Sequence, residues 1–112
     1  MLRLAGVSKK YKTKSILKDI ALEIDDNAFV ALQGQSGAGK STLLNIIGGL
    51  ESPTSGQIII DGKNINNLSS KQRNYFYRHK IGFIFQNFYL QPQLSVSDNI
   101  ALAGIFAGMS KR

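Results

Sequence analysis

Apolar positions recur along this chain in three rhythms, and each predicts an element. Leu2 to Val7 is a short mixed run that reads as a strand, and Ile16 to Ile24 alternates in part (Leu17, Ile20, Leu22, Ile24) as a half-buried strand does. Between them, Ser8 to Ser15 is polar and Lys-rich and reads as a turn. Asp25-Asp26-Asn27 is a second turn signal. Ala28 to Leu32 and Ile81 to Phe85 are continuous apolar runs, the pattern of strands buried on both faces. Ile58-Ile59-Ile60 is a shorter β-branched run, preceded by the turn cluster Glu51 to Gly56 and closed by Asp61-Gly62, a hairpin signal.

The helical rhythm appears three times. Leu43, Leu44, Ile46, Ile47 and Leu50 share a face, and Gly48-Gly49 makes a stop. Ser69 with Gln72 forms a capping box for a helix to about Lys80. Asn87 to Leu94 reads as a loop, and Ser95 with Asp98 starts a last helix from Val96 to about Met109. From Ile100 to Met109 that helix has no polar face, so it predicts burial against further sequence or a partner. It is too short to cross a bilayer.

Composition narrows the classes. A chain of 112 residues with 43% hydrophobic positions is at most one ordinary globular domain. Without Cys there is no disulfide framework, and the one histidine, His79, cannot build a metal cluster alone. No signal-peptide pattern opens the sequence, so the expectation is a cytoplasmic location. The net charge is +7, concentrated between Arg3 and Lys18 and between Lys63 and Lys80. Charge of this kind suits a polyanion. No helix-turn-helix, RNP or zinc-finger pattern accompanies it, so nucleic acid is not the expected partner.

The polyanion is suggested by Gly34-Gln35-Ser36-Gly37-Ala38-Gly39-Lys40-Ser41-Thr42, which fits G-x-x-x-x-G-K-[ST] between a predicted strand and a predicted helix. Gly34, Gly37 and Gly39 let the backbone curl close to a ligand, so that successive N–H groups, those of Ser36 and Ala38 included, line a concave anion site. Lys40 supplies a point charge for the outer phosphates. The Ser41 hydroxyl is a Mg²⁺ ligand type, Thr42 follows at the helix start, and the helix dipole adds to the field. The fold class is therefore α/β, a P-loop NTPase core behind an N-terminal antiparallel β subdomain.

Taken together, these residues resemble the ATP-binding subunit of ABC transporters over essentially all 112 positions. Tyr11 falls where that family places an aromatic that stacks on adenine. SGAGKST is the family's form of the Walker A loop, and Gln86, closing IGFIFQ, matches the Q-loop glutamine. SPTSG, IIIDG and LSVSDNI fall in family order, and the wording is most similar to exporters of lipoproteins, macrolides and antimicrobial peptides. The resemblance implies ATP and Mg²⁺ as cofactors. Tyr11 and the loop residues Gly34, Ser36, Gly37, Ala38, Gly39, Lys40, Ser41 and Thr42 would hold the nucleotide. Ser41 and Gln86 would hold the metal, with Gln86 also acting in catalysis. It implies a transmembrane permease subunit docking near Asn87–Val96, with Phe88, Tyr89 and Leu90 as apolar contacts. It implies as well a second nucleotide-binding subunit in a head-to-tail dimer at the inner face of the membrane.

The family's LSGGQ signature, its Asp-Glu Walker B and its switch His are not in these 112 residues. Ile58-Ile59-Ile60-Asp61 only imitates Walker B, because Gly62 follows, and His79 precedes the Q-loop. The resemblance thus implies a truncated nucleotide-binding domain over residues 1–112 that recognises ATP without completing its hydrolysis. The alternatives are a non-catalytic nucleotide-binding fragment and a different P-loop NTPase. A GTPase would carry an N-K-x-D guanine motif, which is lacking here.

Overall fold

The computed structural model describes residues 1–35, 37, 39–85 and 90–106. Its organising layer is an antiparallel sheet of four strands: β1 (Leu2–Tyr11), β2 (Lys14–Ile24), β3 (Ser55–Ile60) and β4 (Lys63–Asn64), in the order β2-β1-β3-β4. β1 is central. It pairs with β2 from Leu2 opposite Ile24 to Tyr11 opposite Lys14, and with β3 from Leu2 opposite Ile60 to Ser8 opposite Ser55.

The predicted Ser8–Ser15 turn shrinks to Lys12 and Thr13, because β1 continues to Tyr11 and β2 begins at Lys14. Polar side chains do not oppose pairing where one face of a hairpin is solvated. Lys12, with φ 56°, makes the bend. Bulges in β1 shift its register against both neighbours near Val7, where Gly6 takes a positive φ. Asp61 and Gly62, with φ of 50° and 79°, form the β3–β4 hairpin turn that the sequence signals.

Three α-helices follow the sequence reading. α1 is Lys40–Ile47, α2 is Ser70–Lys80 and α3 is Val96–Phe106, and a 3₁₀ turn at Ile65–Asn67 precedes α2. Both arms of the α2 capping box form: Ser69 Oγ accepts from the Gln72 N–H at 3.2 Å, and Gln72 Oε1 accepts from the Ser69 N–H at 3.0 Å. At the start of α3, the Asp98 N–H donates to Ser95 Oγ at 3.0 Å. The core joins the sheet to two helices, with Leu4, Val7, Leu17, Ile58 and Ile60 packed against Leu43 and Ile46 of α1, Ile65 of the 3₁₀ turn and Phe76 of α2.

Two expectations fail. Neither Ala28 to Leu32 nor Ile81 to Phe85 is a strand, and neither run belongs to the described sheet. Phe29 is 99% exposed and Ile84 97% exposed. A strand buried on both faces needs a hydrogen-bonded neighbour and two covering layers, and the described sheet offers 28–32 and 81–85 none of these. The second run still alternates as a strand would. Ile81 packs on the core, and Phe83 lies so close over α1's end that a Cβ on Gly48 would sit 2.7 Å from its ring, while Ile84 faces solvent. In α3, Ile100 is 78% exposed, so the apolar helix is not buried there. The helix end predicted near Met109 lies outside the described residues.

Candidate functional site

The site begins at the N-terminus of α1. Gly39 is its N-cap, in the left-handed region at φ 89°, with no side-chain capping bond. The orphan N–H groups of the first turn therefore face outward for an acceptor from elsewhere. Only glycine suits this position. Besides the backbone angle, a Cβ there would lie 3.0 Å from Leu17 Cδ2 and 3.2 Å from the Ile16 carbonyl oxygen. So β2 backs directly onto the loop.

These constraints shape a cavity of about 480 Å³. Gly37, Gly39, Lys40, Ser41 and Thr42 line one side, and Lys14 and Ile16 of β2 line the other. The Lys40 ammonium donates to the Gly34 carbonyl. Two ammonium groups and no carboxylate line the cavity, so its field favours an anion. Lys14 and Ile16 were not singled out from the sequence. Lys14 was read as part of a turn, and only the observed strand start at Lys14 brings it to the loop.

Tyr11 lies beside this cavity rather than in its lining. It ends β1 and is 44% exposed. Its hydroxyl donates to Glu51 Oε2, and Lys9 Nζ stands 5.2 Å from its ring centroid. Glu51 Oε1 also accepts from Asn45 Nδ2 at 3.3 Å. The hydrogen bond from Tyr11 holds the Glu51 carboxyl below its ordinary value, helped by Asn45 and Lys9 against partial desolvation. Conversely, Glu51 raises the Tyr11 phenol, desolvation adds to this, and a hydrogen bond with the Thr42 side chain opposes it.

Gln86, Ser36 and Ala38 lie outside the described residues, as do Asn87, Phe88 and Tyr89 of the expected docking segment. The rest of that segment is tied to α3. Asn99 Oδ1 accepts from the Gln91 N–H at 2.9 Å, and its Nδ2 donates to the carbonyls of Leu94 at 3.2 Å and Ser95 at 2.9 Å. In the sequence Asn99 is singled out only as part of LSVSDNI, with no role of its own. No group of three or more His, Cys, Asp or Glu among the described residues could hold a metal, and none of their helices is long and apolar enough to cross a membrane.

The family model for ABC transporters matches residues 17–112. The chain belongs to the ABC transporter family. It is 48% identical over 99 residues to the macrolide export ATP-binding/permease protein MacB of Mannheimia succiniciproducens, covering 88% of this chain and 15% of that protein. It is 39% identical over 109 residues to the lipoprotein-releasing system ATP-binding protein LolD of Bacteroides fragilis, covering 97% of this chain and 50% of LolD. Among solved structures, the dimeric ATP-binding cassette MJ0796 in a post-hydrolysis state bound to ADP and Pi aligns with a TM-score of 0.86 at 42% identity, over 96% of this chain and 48% of the cassette. The fold is thus that of an ABC ATPase cassette, a P-loop NTPase core with an N-terminal antiparallel sheet, and the chain spans about half the length of LolD and of that cassette.

Proposed function

We propose that this ABC-family chain binds Mg-ATP at the α1 N-terminus as the N-terminal half of an ATPase subunit that powers export across a membrane. The observation that supports it most is the convergence of Lys40, Ser41, Thr42, Gly37 and Gly39 on one electropositive cavity backed by Lys14. Its volume, about 480 Å³, is within the roughly 300–1,000 Å³ usual for ligand sites. The donor set fits a metal-bound triphosphate: uncapped helix N–H groups for phosphate oxygens, an ammonium for the outer phosphates, and an exposed serine hydroxyl of the kind that ligates Mg²⁺. Magnesium would neutralise charge on the phosphate oxygens. Gln86 would complete the metal site from the end of 81–85, and Tyr11 would stack on the base.

The same reading assigns the runs 28–32 and 81–85, which lie outside the described sheet, to the interior of a complete cassette. A permease subunit would dock near Asn87–Val96, and a second cassette would pack head to tail at the inner membrane face. The names of MacB and LolD support the export role. The domain proposed over residues 1–112 holds the recognition half, so turnover by these residues alone is not expected. Titration with a fluorescent ATP analogue tests the assignment. Lys40→Ala should abolish saturable binding, and unchanged affinity would remove the loop from the site.

A further inference from the structure

A second cavity, of about 460 Å³, shares no lining residue with the loop cavity. It is formed by the outward face of α2, by Leu68 just ahead of it and by Lys63 at the start of β4. The spacing of α2 explains it. Residues 72, 75, 76 and 79 recur at three- and four-residue intervals, so they share one face of α2, and Leu68 joins them from the segment before the helix. Phe76 is rooted in the core and supplies an apolar floor. Tyr75 and His79 stack beside it, with ring centroids 4.1 Å apart and planes inclined by 27°.

Three lysines, Lys63, Lys71 and Lys80, line the same cavity. Lys80 Nζ lies 3.8 Å from Asp61, whereas Lys63 and Lys71 have no ion-pair partner among the described residues. No carboxylate lines the cavity, and α2 contains no acidic residue. A solvated basic helix, as the sequence alone suggests, would account for the lysines. It would not account for an exposed aromatic pair, Tyr75 and His79, set among them beside the buried Phe76. The volume is that of a small-molecule site, again within roughly 300–1,000 Å³.

We infer that the α2 cavity binds a small organic anion with an aromatic body, its rings against Tyr75 and Phe76 and its carboxylate between Lys63 and Lys71. Aromatic rings attract one another in stacked or edge geometries, and a carboxylate beside unpaired ammonium groups gains charge-assisted hydrogen bonds. Neither interaction depends on the phosphate loop.

The test uses 2-naphthoate as the probe, followed by amide chemical shifts of the full chain. Saturable shifts should map to residues 63–80. Lys63→Gln with Lys71→Gln should weaken binding at least tenfold, and Tyr75→Ser should weaken it several-fold. All three side chains are solvent-facing, so the thermal transition should hold and report intact folding. Naphthalene-2-methanol, which keeps the rings and lacks the charge, should bind at least tenfold more weakly. The inference is overturned if the shifts map to 28–32 or to the phosphate loop. It is overturned equally if the double lysine variant or the neutral probe binds as tightly, or if acetate alone reproduces the shifts.

Discussion

The Tyr11 hydroxyl at the end of β1 is held by the carboxylate of Glu51, forty positions later in the turn after α1. Lys9 and Asn45 complete the group around that carboxylate. The bond ties the ring to the turn after α1, so Glu51 would position Tyr11 if that ring contacts a base. Its pH dependence has two arms. Glu51 titrates below its ordinary 4.5, so its contribution is present above about that pH and is lost as pH falls through the lower folded value. Tyr11 titrates above its ordinary 10.0, so its contribution is present below that pH and is lost as pH rises through the higher folded value. Thermal unfolding of Glu51→Gln from pH 3 to 8 should show a flatter acid limb than the parent chain. An identical acid limb would mean the contact contributes nothing.

Base recognition can be separated from that contact. If the Tyr11 ring stacks on adenine, Tyr11→Ala should weaken ATP binding by about 1–2 kcal/mol, within the range of base–aromatic stacking. Tyr11→Phe should recover most of this, because it keeps the ring and loses only the Glu51 bond. Equal affinities for the Ala and Phe variants would show that the ring face is not used.

Two glycines with similar backbone angles should respond differently to Ala. Gly62, at φ 79°, has open space where a Cβ would go, so Gly62→Ala should cost only the left-handed penalty of about 1–2 kcal/mol. At Gly56, φ 94°, a Cβ would fall 2.4 Å from the Gly6 carbonyl oxygen and 2.6 Å from the Val7 Cα, both backbone of the central strand. Overpacking against β1 should add roughly 1–3 kcal/mol to the same penalty. Urea unfolding of the two variants compares them directly. Equal losses would mean that β3 moves away from β1 without cost.

The exposed apolar runs predict self-association. Phe29 and Ile84 stand almost wholly in solvent, and Ile100 projects from α3. The double variant Phe29→Ser, Ile84→Ser should sediment with less associated species and bind less hydrophobic dye. Its unfolding free energy should stay within about 0.5 kcal/mol, as for surface substitutions. A loss well beyond that would show that these side chains are buried when the chain is free in solution.

The helices and the hairpin turn were legible because their signals are local. Ser69 with Gln72 needs only four residues to form its capping box, and Asp61-Gly62 needs only two. The loop was legible for the same reason, since Gly39 and Lys40 act through their own backbone and the helix they start. Apolar runs such as 28–32 and 81–85 state only that a strand would be buried. Pairing is a tertiary property, and the described sheet ends at β2 and β4 without them. Lys14 and Glu51 escaped notice because their roles depend on register. Tyr11 faces Lys14 across a turn shorter than its polar sequence suggests.

The Lys40–Gly34 contact changes how an anion would meet the loop. A lysine side chain free in solvent loses as much as about 2 kcal/mol of rotamer entropy when it is fixed. Here that ordering has already occurred during folding, with a neutral carbonyl as a placeholder. An arriving phosphate would therefore exchange one acceptor for a charged one on a side chain already aimed across the loop. Association at this site would then be a substitution on a preset frame, favouring a ligand only as far as its charge outcompetes an amide oxygen.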